Sequence, residues 1–196
     1  MNKVYDVVVI GGGPAGGQCA RELSQKGIKV LLVERYKSFE ENNFSSAGMT
    51  LEPLVEFNLP DSVIGSYWKN FTIQCTQDEY RWESNENKGV VLDFGRLRQF
   101  LADECVKFGG EVMMGCKYLK KQVFNDKVEA VFLNTETKEE VKIQAKLLID
   151  ATGPSRKVIY DKISEYPELV NASGLEYLIE VSQTEYDKYK EHLIFL

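Results

Sequence analysis

Histidine occurs once in this chain, at His192, and cysteine four times with no Cys-x-x-Cys pair. Metal sites draw three or four ligands from closely spaced residues. No metal centre is therefore expected, and Cys19, Cys75, Cys105 and Cys116 read as reduced thiols. A Ser-His-Asp hydrolase would have to recruit the single histidine near the end of the chain, which argues against that chemistry. Excess positive charge is also lacking: the formal net charge is −6, so the basic face of a nucleic-acid binder is not expected. No apolar run approaches the roughly 18 residues that cross a bilayer. The opening run, Val4 to Ile10, has no basic segment before it and no cleavage site after it. A soluble, cytoplasmic protein without a transmembrane segment is expected, with peripheral contact to a membrane left open. Repeats and low-complexity segments are absent as well.

What is present is an alternation of strand and helix patterns. Val4 to Ile10 is β-branched and apolar on both faces, as a central parallel strand between helical layers has to be. A helix is predicted from Pro14 to Lys26, with Ala15, Cys19, Ala20 and Leu23 inward and Gly27 as its stop. Lys29 to Glu34 reads as a second parallel strand. A short helix at Leu51 to Phe57 precedes two or three antiparallel strands between Tyr67 and Leu92. An amphipathic helix spans Gly95 to Phe108, with Leu97, Phe100, Leu101 and Cys105 on one stripe. A three-stranded meander is predicted from Glu111 to Ala145, then a buried parallel strand from Lys146 to Asp150 and a sharp turn at Ala151-Thr152-Gly153-Pro154. The tail carries a predicted strand, Leu175 to Val181, and an amphipathic stretch from Thr184 to His192.

Gly11-Gly12-Gly13-Pro14-Ala15-Gly16 matches G-x-G-x-x-G. The string alone is weak, but here a buried strand precedes it, a helix follows, and Glu34 ends the next strand at close to the expected spacing of roughly 20 residues. Gly11 permits the tight turn, Gly13 lets a pyrophosphate approach the backbone, and Gly16 lets the helix pack closely. The helix N-terminus then faces the phosphates. Glu34 would accept from ribose hydroxyls and repel a 2′-phosphate, which favours FAD or NAD over NADP.

These residues resemble the geranylgeranyl reductase family, within the larger group of hydroxylase-like FAD enzymes. The resemblance runs through Tyr5 to Gly16 and Val33-Glu34-Arg35. It continues in Ala47-Gly48-Met49-Thr50, Leu59-Pro60-Asp61, the helix at 95–108 and Asp150 to Ser155. It implies an α/β fold: a Rossmann-like FAD-binding domain with a parallel sheet and a β-meander, and an antiparallel β insertion from an incomplete substrate domain. Residues 1–65 and 93–160 would form the FAD-binding domain, and 66–92 with 161–196 part of a truncated substrate domain. FAD, reduced by NAD(P)H or another donor, would pass hydride to a carbon–carbon double bond of an isoprenoid or similar apolar substrate. By matching position, Gly11, Gly12, Gly13, Pro14, Ala15, Gly16, Glu34 and Arg35 would hold the ADP portion. The loop Ser46-Ala47-Gly48-Met49 would approach the isoalloxazine, and Ala151, Thr152 and Gly153 would lie beside the flavin nucleotide. Arg98 would reach the pyrophosphate or the adenosine side. No catalytic acid or base is assigned.

The segment Ser45-Ser46-Ala47-Gly48 lacks the cysteine that the family often carries before the flavin, so no cysteine-dependent step is expected. Family members are longer, and their later Gly-Asp motif has no counterpart after Ala172. The chain is thus expected to be an N-terminal part of a larger enzyme and incomplete on its own. A monooxygenase, a halogenase or a lycopene-cyclase-like enzyme would share the first motif, although the Trp-x-Trp-x-Ile-Pro element of flavin halogenases is absent. Two readings come from other classes. One is a non-catalytic dinucleotide-binding module. The other is an interaction protein whose 184–192 helix presents Tyr186, Tyr189 and Leu193 on one face. Tyr67, Trp68 and Trp82 would line either an apolar substrate pocket or, more commonly for such residues, the core of the hairpin.

Overall fold

A computed structural model describes residues 4–195 apart from 44, 46, 161, 163, 164, 166, 168–176 and 178. In chain order the elements are β1 (Val4–Ile10), α1 (Pro14–Gln25), β2 (Val30–Val33), β3 (Gly48–Thr50), α2 (Glu52–Glu56), β4 (Ile64–Trp68), β5 (Asn70–Gln74) and β6 (Glu79–Trp82). There follow β7 (Gly89–Leu92), α3 (Phe94–Lys107), β8 (Glu111–Met113), β9 (Cys116–Val123), β10 (Val128–Asn134), β11 (Glu140–Asp150), α4 (Gln183–Tyr189) and β12 (His192–Phe195). The chain divides into two compact units, residues 1–43 with 97–171 and residues 44–96 with 172–196.

The first unit is built on a six-stranded sheet in the order β8-β2-β1-β11-β10-β9. Strands β8, β2, β1 and β11 run parallel, and β11, β10 and β9 form an antiparallel meander. Its central strand is β1, whose Val8 and Val9 are fully buried, one on each face. On one face Val7, Val9, Val30 and Leu32 pack with Ala20 of α1 and with Ala102 and Cys105 of α3. On the other, Val8, Ile10, Leu31 and Val33 gather Cys116, Ala130 and Phe132 of the meander, with Val158.

Helix α1 starts with Pro at its first position, where a missing N–H costs nothing and φ is already helical. It ends at Gly27, whose φ of +75° lets Gly27 N–H reach Ser24 O and Ile28 N–H reach Leu23 O, satisfying the last carbonyls. Asp93 caps α3 by accepting from Arg96 N–H at 3.0 Å. The two helices approach closely at Gly17, where a Cβ would stand 2.9 Å from Leu101 Cβ.

Four expectations for this unit change. The meander predicted from Glu111 to Ala145 begins only at Cys116, since Glu111–Met113 is β8 and runs parallel to β2 at the sheet edge. The buried side of α1 is Gly16, Gly17, Ala20, Arg21 and Ser24, while Ala15 is exposed and Cys19 and Leu23 are half-buried. The helix is covered by α3 as well as by the sheet, so its buried stripe is rotated. The strand at Lys146 to Asp150 is the second half of one 11-residue strand, β11, whose first half belongs to the meander. It is parallel to β1 as expected but not buried throughout, since Leu147 is 54% exposed.

The second unit holds two three-stranded sheets, β3-β7-β4 and β12-β5-β6. The predicted two or three antiparallel strands between Tyr67 and Leu92 are four, and they divide between these sheets. In the second sheet β12 runs parallel to β5. Phe71 is the hub of its aromatic face, 5.6 Å from the Trp82 ring and 5.3 Å from Phe195. Trp82 is 52% exposed, so the aromatic residues of this hairpin are only partly core. Helix α4 stops at Tyr189 and Leu193 lies in β12, so Tyr186, Tyr189 and Leu193 do not share a helical face. The predicted strand Leu175 to Val181 lies partly outside the described residues; those of it that are described, 177 and 179–181, carry no strand. No helix among the described residues is long and apolar enough to cross a membrane.

Candidate functional site

The turn after β1 is clamped from both sides. Gly11 N–H donates to Val33 O at the end of β2, and Ala151 N–H donates to Ile10 O at 2.9 Å. Gly11 adopts φ +114°, and a Cβ there would sit 2.2 Å from Ala151 O. Only glycine satisfies both the angle and the contact. At Gly16 a Cβ would fall 1.9 Å from Gly11 O, so the helix can begin against the turn only without one. Gly13 differs: a Cβ would meet nothing within 4 Å, so the backbone there is open on that side. The first-turn N–H groups of α1 have no intrahelical partners, Pro14 contributes none, and the positive end of the helix dipole lies there.

Glu34 completes this cradle. Its backbone is fixed by bonds from its N–H to Met113 O and from Cys116 N–H to its O. Its side chain, 6% exposed, accepts from Gly12 N–H at 2.6 Å through Oε2 and from Tyr36 N–H at 3.0 Å through Oε1. The carboxylate therefore faces the glycine turn. Arg35 is exposed and stacks on Tyr36, with its Nη2 2.8 Å from the Tyr36 hydroxyl. Arg98 is buried and donates to carbonyls of the 39–42 loop.

The second turn of the site begins at Asp150, which the sequence reading left out of the site. Its Oδ1 accepts from Thr152 N–H at 3.0 Å and from Thr152 Oγ1 at 2.6 Å, and its Oδ2 from Val158 and Ile159 N–H at 2.8 and 3.0 Å. Burial pushes this carboxyl up, but the bonds from Thr152, Ile159 and Val158 outweigh it and hold the pKa below the ordinary value. Thr152 in turn accepts from Ser155 Oγ and Lys157 N–H, so the turn is fixed from within. Beside it opens a pocket of about 290 Å³ lined by Ala15, Asp150, Ala151, Gly153, Arg156, Ile159 and Tyr160. The start of α1 and the Ala-Thr-Gly turn thus border one space. Asp150 was legible only as the end of an apolar run; its acceptor role depends on residues eight and nine positions later.

The structure brings together Gly11, Gly12, Gly13, Pro14, Ala15, Gly16, Glu34, Ala151, Thr152 and Gly153 in the first unit. Ala47, Gly48 and Met49 belong to the second unit, where Gly48 and Met49 pair with β7 and Ala47 O accepts from Leu92 N–H. Ser46 lies outside the described residues. Among the described residues no cluster of three or more His, Cys, Asp or Glu side chains could hold a metal ion.

Comparison with known proteins gives the family. The family model described as FAD dependent oxidoreductase matches residues 6–156. A digeranylgeranylglycerophospholipid reductase of Haloferax volcanii is 33% identical over 79% of this chain and 37% of its own length. The crystal structure of a geranylgeranyl bacteriochlorophyll reductase-like protein from Thermoplasma acidophilum superposes with a TM-score of 0.68 at 27% identity, covering 78% of this chain and 40% of that one. A myxobacterial chondrochloren halogenase shares the fold alone, with a TM-score of 0.64 at 17% identity, over 80% of this chain and 39% of its own. The chain thus spans about 40% of the length of the first two relatives. The resemblance to geranylgeranyl reductases is met by these matches, and the chain belongs to the FAD dependent oxidoreductase family.

Proposed function

We propose that this chain is the FAD-binding part of a reductase that saturates carbon–carbon double bonds in an isoprenoid or similar apolar substrate. The observation that carries the reading is the Glu34 carboxylate facing Gly12 at the mouth of a turn whose next residue, Gly13, is open to a diphosphate. The residues fit an FAD: the backbone at Gly13 has nothing within 4 Å on its Cβ side, which would let a diphosphate approach, and the Glu34 carboxylate facing the turn could accept from ribose hydroxyls. When bound, the flavin would supply the redox chemistry, accepting electrons from NAD(P)H or another donor and passing them as hydride to one carbon of the double bond, with a proton from water going to the other.

In this reading the protein's own groups bind and orient. The N-terminal turn of α1 offers N–H donors and dipole to the diphosphate, and Glu34 accepts from the ribose and disfavours a 2′-phosphate. Asp150 holds the 150–159 turn in shape, so that Ala151, Thr152 and Gly153 border the nucleotide. The first unit is then the nucleotide-binding domain, and the second unit a portion of the substrate domain. The reductase names of the Haloferax volcanii and Thermoplasma acidophilum relatives favour an isoprenoid substrate over the hydroxylation and halogenation of more distant neighbours.

The test is the protein, purified, loaded with FAD and incubated with a chemical reductant and a geranylgeranyl lipid. The proposal predicts a gain of two hydrogens per reduced bond by mass spectrometry. Flavin oxidation without change in the lipid would contradict it.

A further inference from the structure

The loop after β2 is tied down by one buried cation. Arg98, 4% exposed on α3, donates through Nη2 to the carbonyl of Phe39 and to those of Glu41 and Asn42 at 3.0 and 3.4 Å. Its guanidinium also lies 5.4 Å from the centroid of the Phe39 ring. Phe39 is buried, and its Cε1 is 2.9 Å from where a Gly12 Cβ would be, beside Glu34 Oε2 at 3.0 Å from the same point. Arg98, Phe39, Gly12 and Glu34 therefore form one contiguous series, from the helix through the loop to the carboxylate.

A buried guanidinium is costly unless acceptors surround it. Three acceptors here are backbone carbonyls of the 39–42 loop, which are fixed partial charges and cannot leave as a counter-ion would. A shift of the loop would take these three carbonyls away from the guanidinium. Phe39 is in this way held as a floor under Gly12, and Glu34 is confined to the orientation in which Gly12 and Tyr36 N–H both reach it.

We propose that Arg98 is a positioning residue: it braces the 39–42 loop from behind, keeps Glu34 on the ribose side of the glycine turn, and so sets the preference for a nucleotide with a free 2′-hydroxyl over a 2′-phosphorylated one. Its effect is transmitted through Phe39 and Glu34, without contact with the phosphates. The proposal rests on the reading that Gly11 to Gly16 and Glu34 bind the ADP half of the dinucleotide.

The test measures the affinities of the full chain for ADP and 2′-phospho-ADP by calorimetry, in the wild type and in Arg98→Gln, Arg98→Lys and Arg21→Gln. Arg21 serves as the control because it is comparably buried, on α1, and its ion pair is with Glu104 of α3 at 3.7 Å. Arg98→Gln is expected to bind ADP about tenfold more weakly and to lose most of the preference over 2′-phospho-ADP. Arg98→Lys, whose ammonium can serve the same carbonyls, should retain more of both. Arg21→Gln should keep the preference even where its melting temperature falls as far. Should Arg98→Gln not fold, hydrogen exchange of Arg98→Lys gives the readout: faster exchange at the Gly12 and Tyr36 amides, with Val9 and Leu32 unchanged, supports the proposal, and unchanged exchange at all four overturns it. An unaltered preference in Arg98→Gln, or an equal loss in Arg21→Gln, also overturns it. Failure of the wild type to bind either nucleotide would instead remove the dinucleotide reading itself.

Discussion

Glu34 Oε2 lies 2.6 Å from the backbone nitrogen of Gly12, so the residue that ends β2 closes over the turn that ends β1. The same carboxylate takes the Tyr36 N–H at 3.0 Å; Gly12 is buried and Tyr36 half-buried. Removing the acceptor leaves the buried Gly12 N–H unmet, which typically costs about 1–3 kcal/mol. Glu34→Ala should therefore lower stability by about 2 kcal/mol as well as weakening ADP binding, measured by urea unfolding and calorimetry on the same preparation. A variant of undiminished stability would show that these bonds are not maintained in solution.

The glycines of the motif should separate into two kinds. Gly16→Ala places a Cβ 1.9 Å from Gly11 O and should destabilise by more than about 4 kcal/mol, enough to prevent folding of a domain this size. Gly13→Ala meets nothing within 4 Å and has an ordinary φ of −72°, so its effect on stability should be under about 1 kcal/mol. FAD affinity should nevertheless fall in Gly13→Ala, because the methyl occupies the diphosphate's approach. Thermal melts and flavin fluorescence quenching read the two effects separately.

Much of this site was legible in the sequence because its parts are local. The Gly11 to Gly16 turn, the helix start at Pro14 and the acid after β2 have spacings fixed by one βαβ unit, and the structure reproduces each. What was not legible depended on pairing between distant segments. Period-2 alternation marks strands but does not name partners, so the four strands between Ile64 and Leu92 could not be divided between two sheets. Nor could the meander's last strand and the parallel strand at Leu147 be seen to be one continuous β11. Arg98 read as a contact to the pyrophosphate or the adenosine side, because nothing in its neighbours announces the carbonyls of residues 39–42.

Asp150 gives the site a pH dependence. Burial alone would raise its pKa, but the bonds it accepts from Thr152, Ile159 and Val158 lower it in the folded state. A group with a depressed folded pKa stabilises above its unfolded value, about 3.9, and loses that contribution as the pH falls through the folded value. Asp150→Asn should thus be less stable than the wild type at pH 7, and the difference should shrink as the pH is lowered below about 4. A difference that stays constant from pH 7 to pH 3 would contradict this role.

The cysteines should differ in reactivity. Cys75 is exposed, and backbone bonds from Gln77 and Asp78 lower its pKa, whereas burial raises those of Cys105 and Cys116. Iodoacetamide at pH 8 should label Cys75 first, with Cys105 and Cys116 protected until the protein unfolds. Peptide mapping by mass spectrometry reads the order, and early labelling of Cys105 would show that the α1–α3 core opens.

The central claim, that the opening turn and Glu34 receive a dinucleotide, is tested most directly by amide chemical shifts of the labelled chain during titration with ADP. Shifts that saturate and concentrate at Gly12, Gly13, Ala15, Gly16, Glu34 and Arg35 are the predicted result. A spectrum that ADP and FAD leave unchanged, or shifts gathered on the second unit alone, would contradict it.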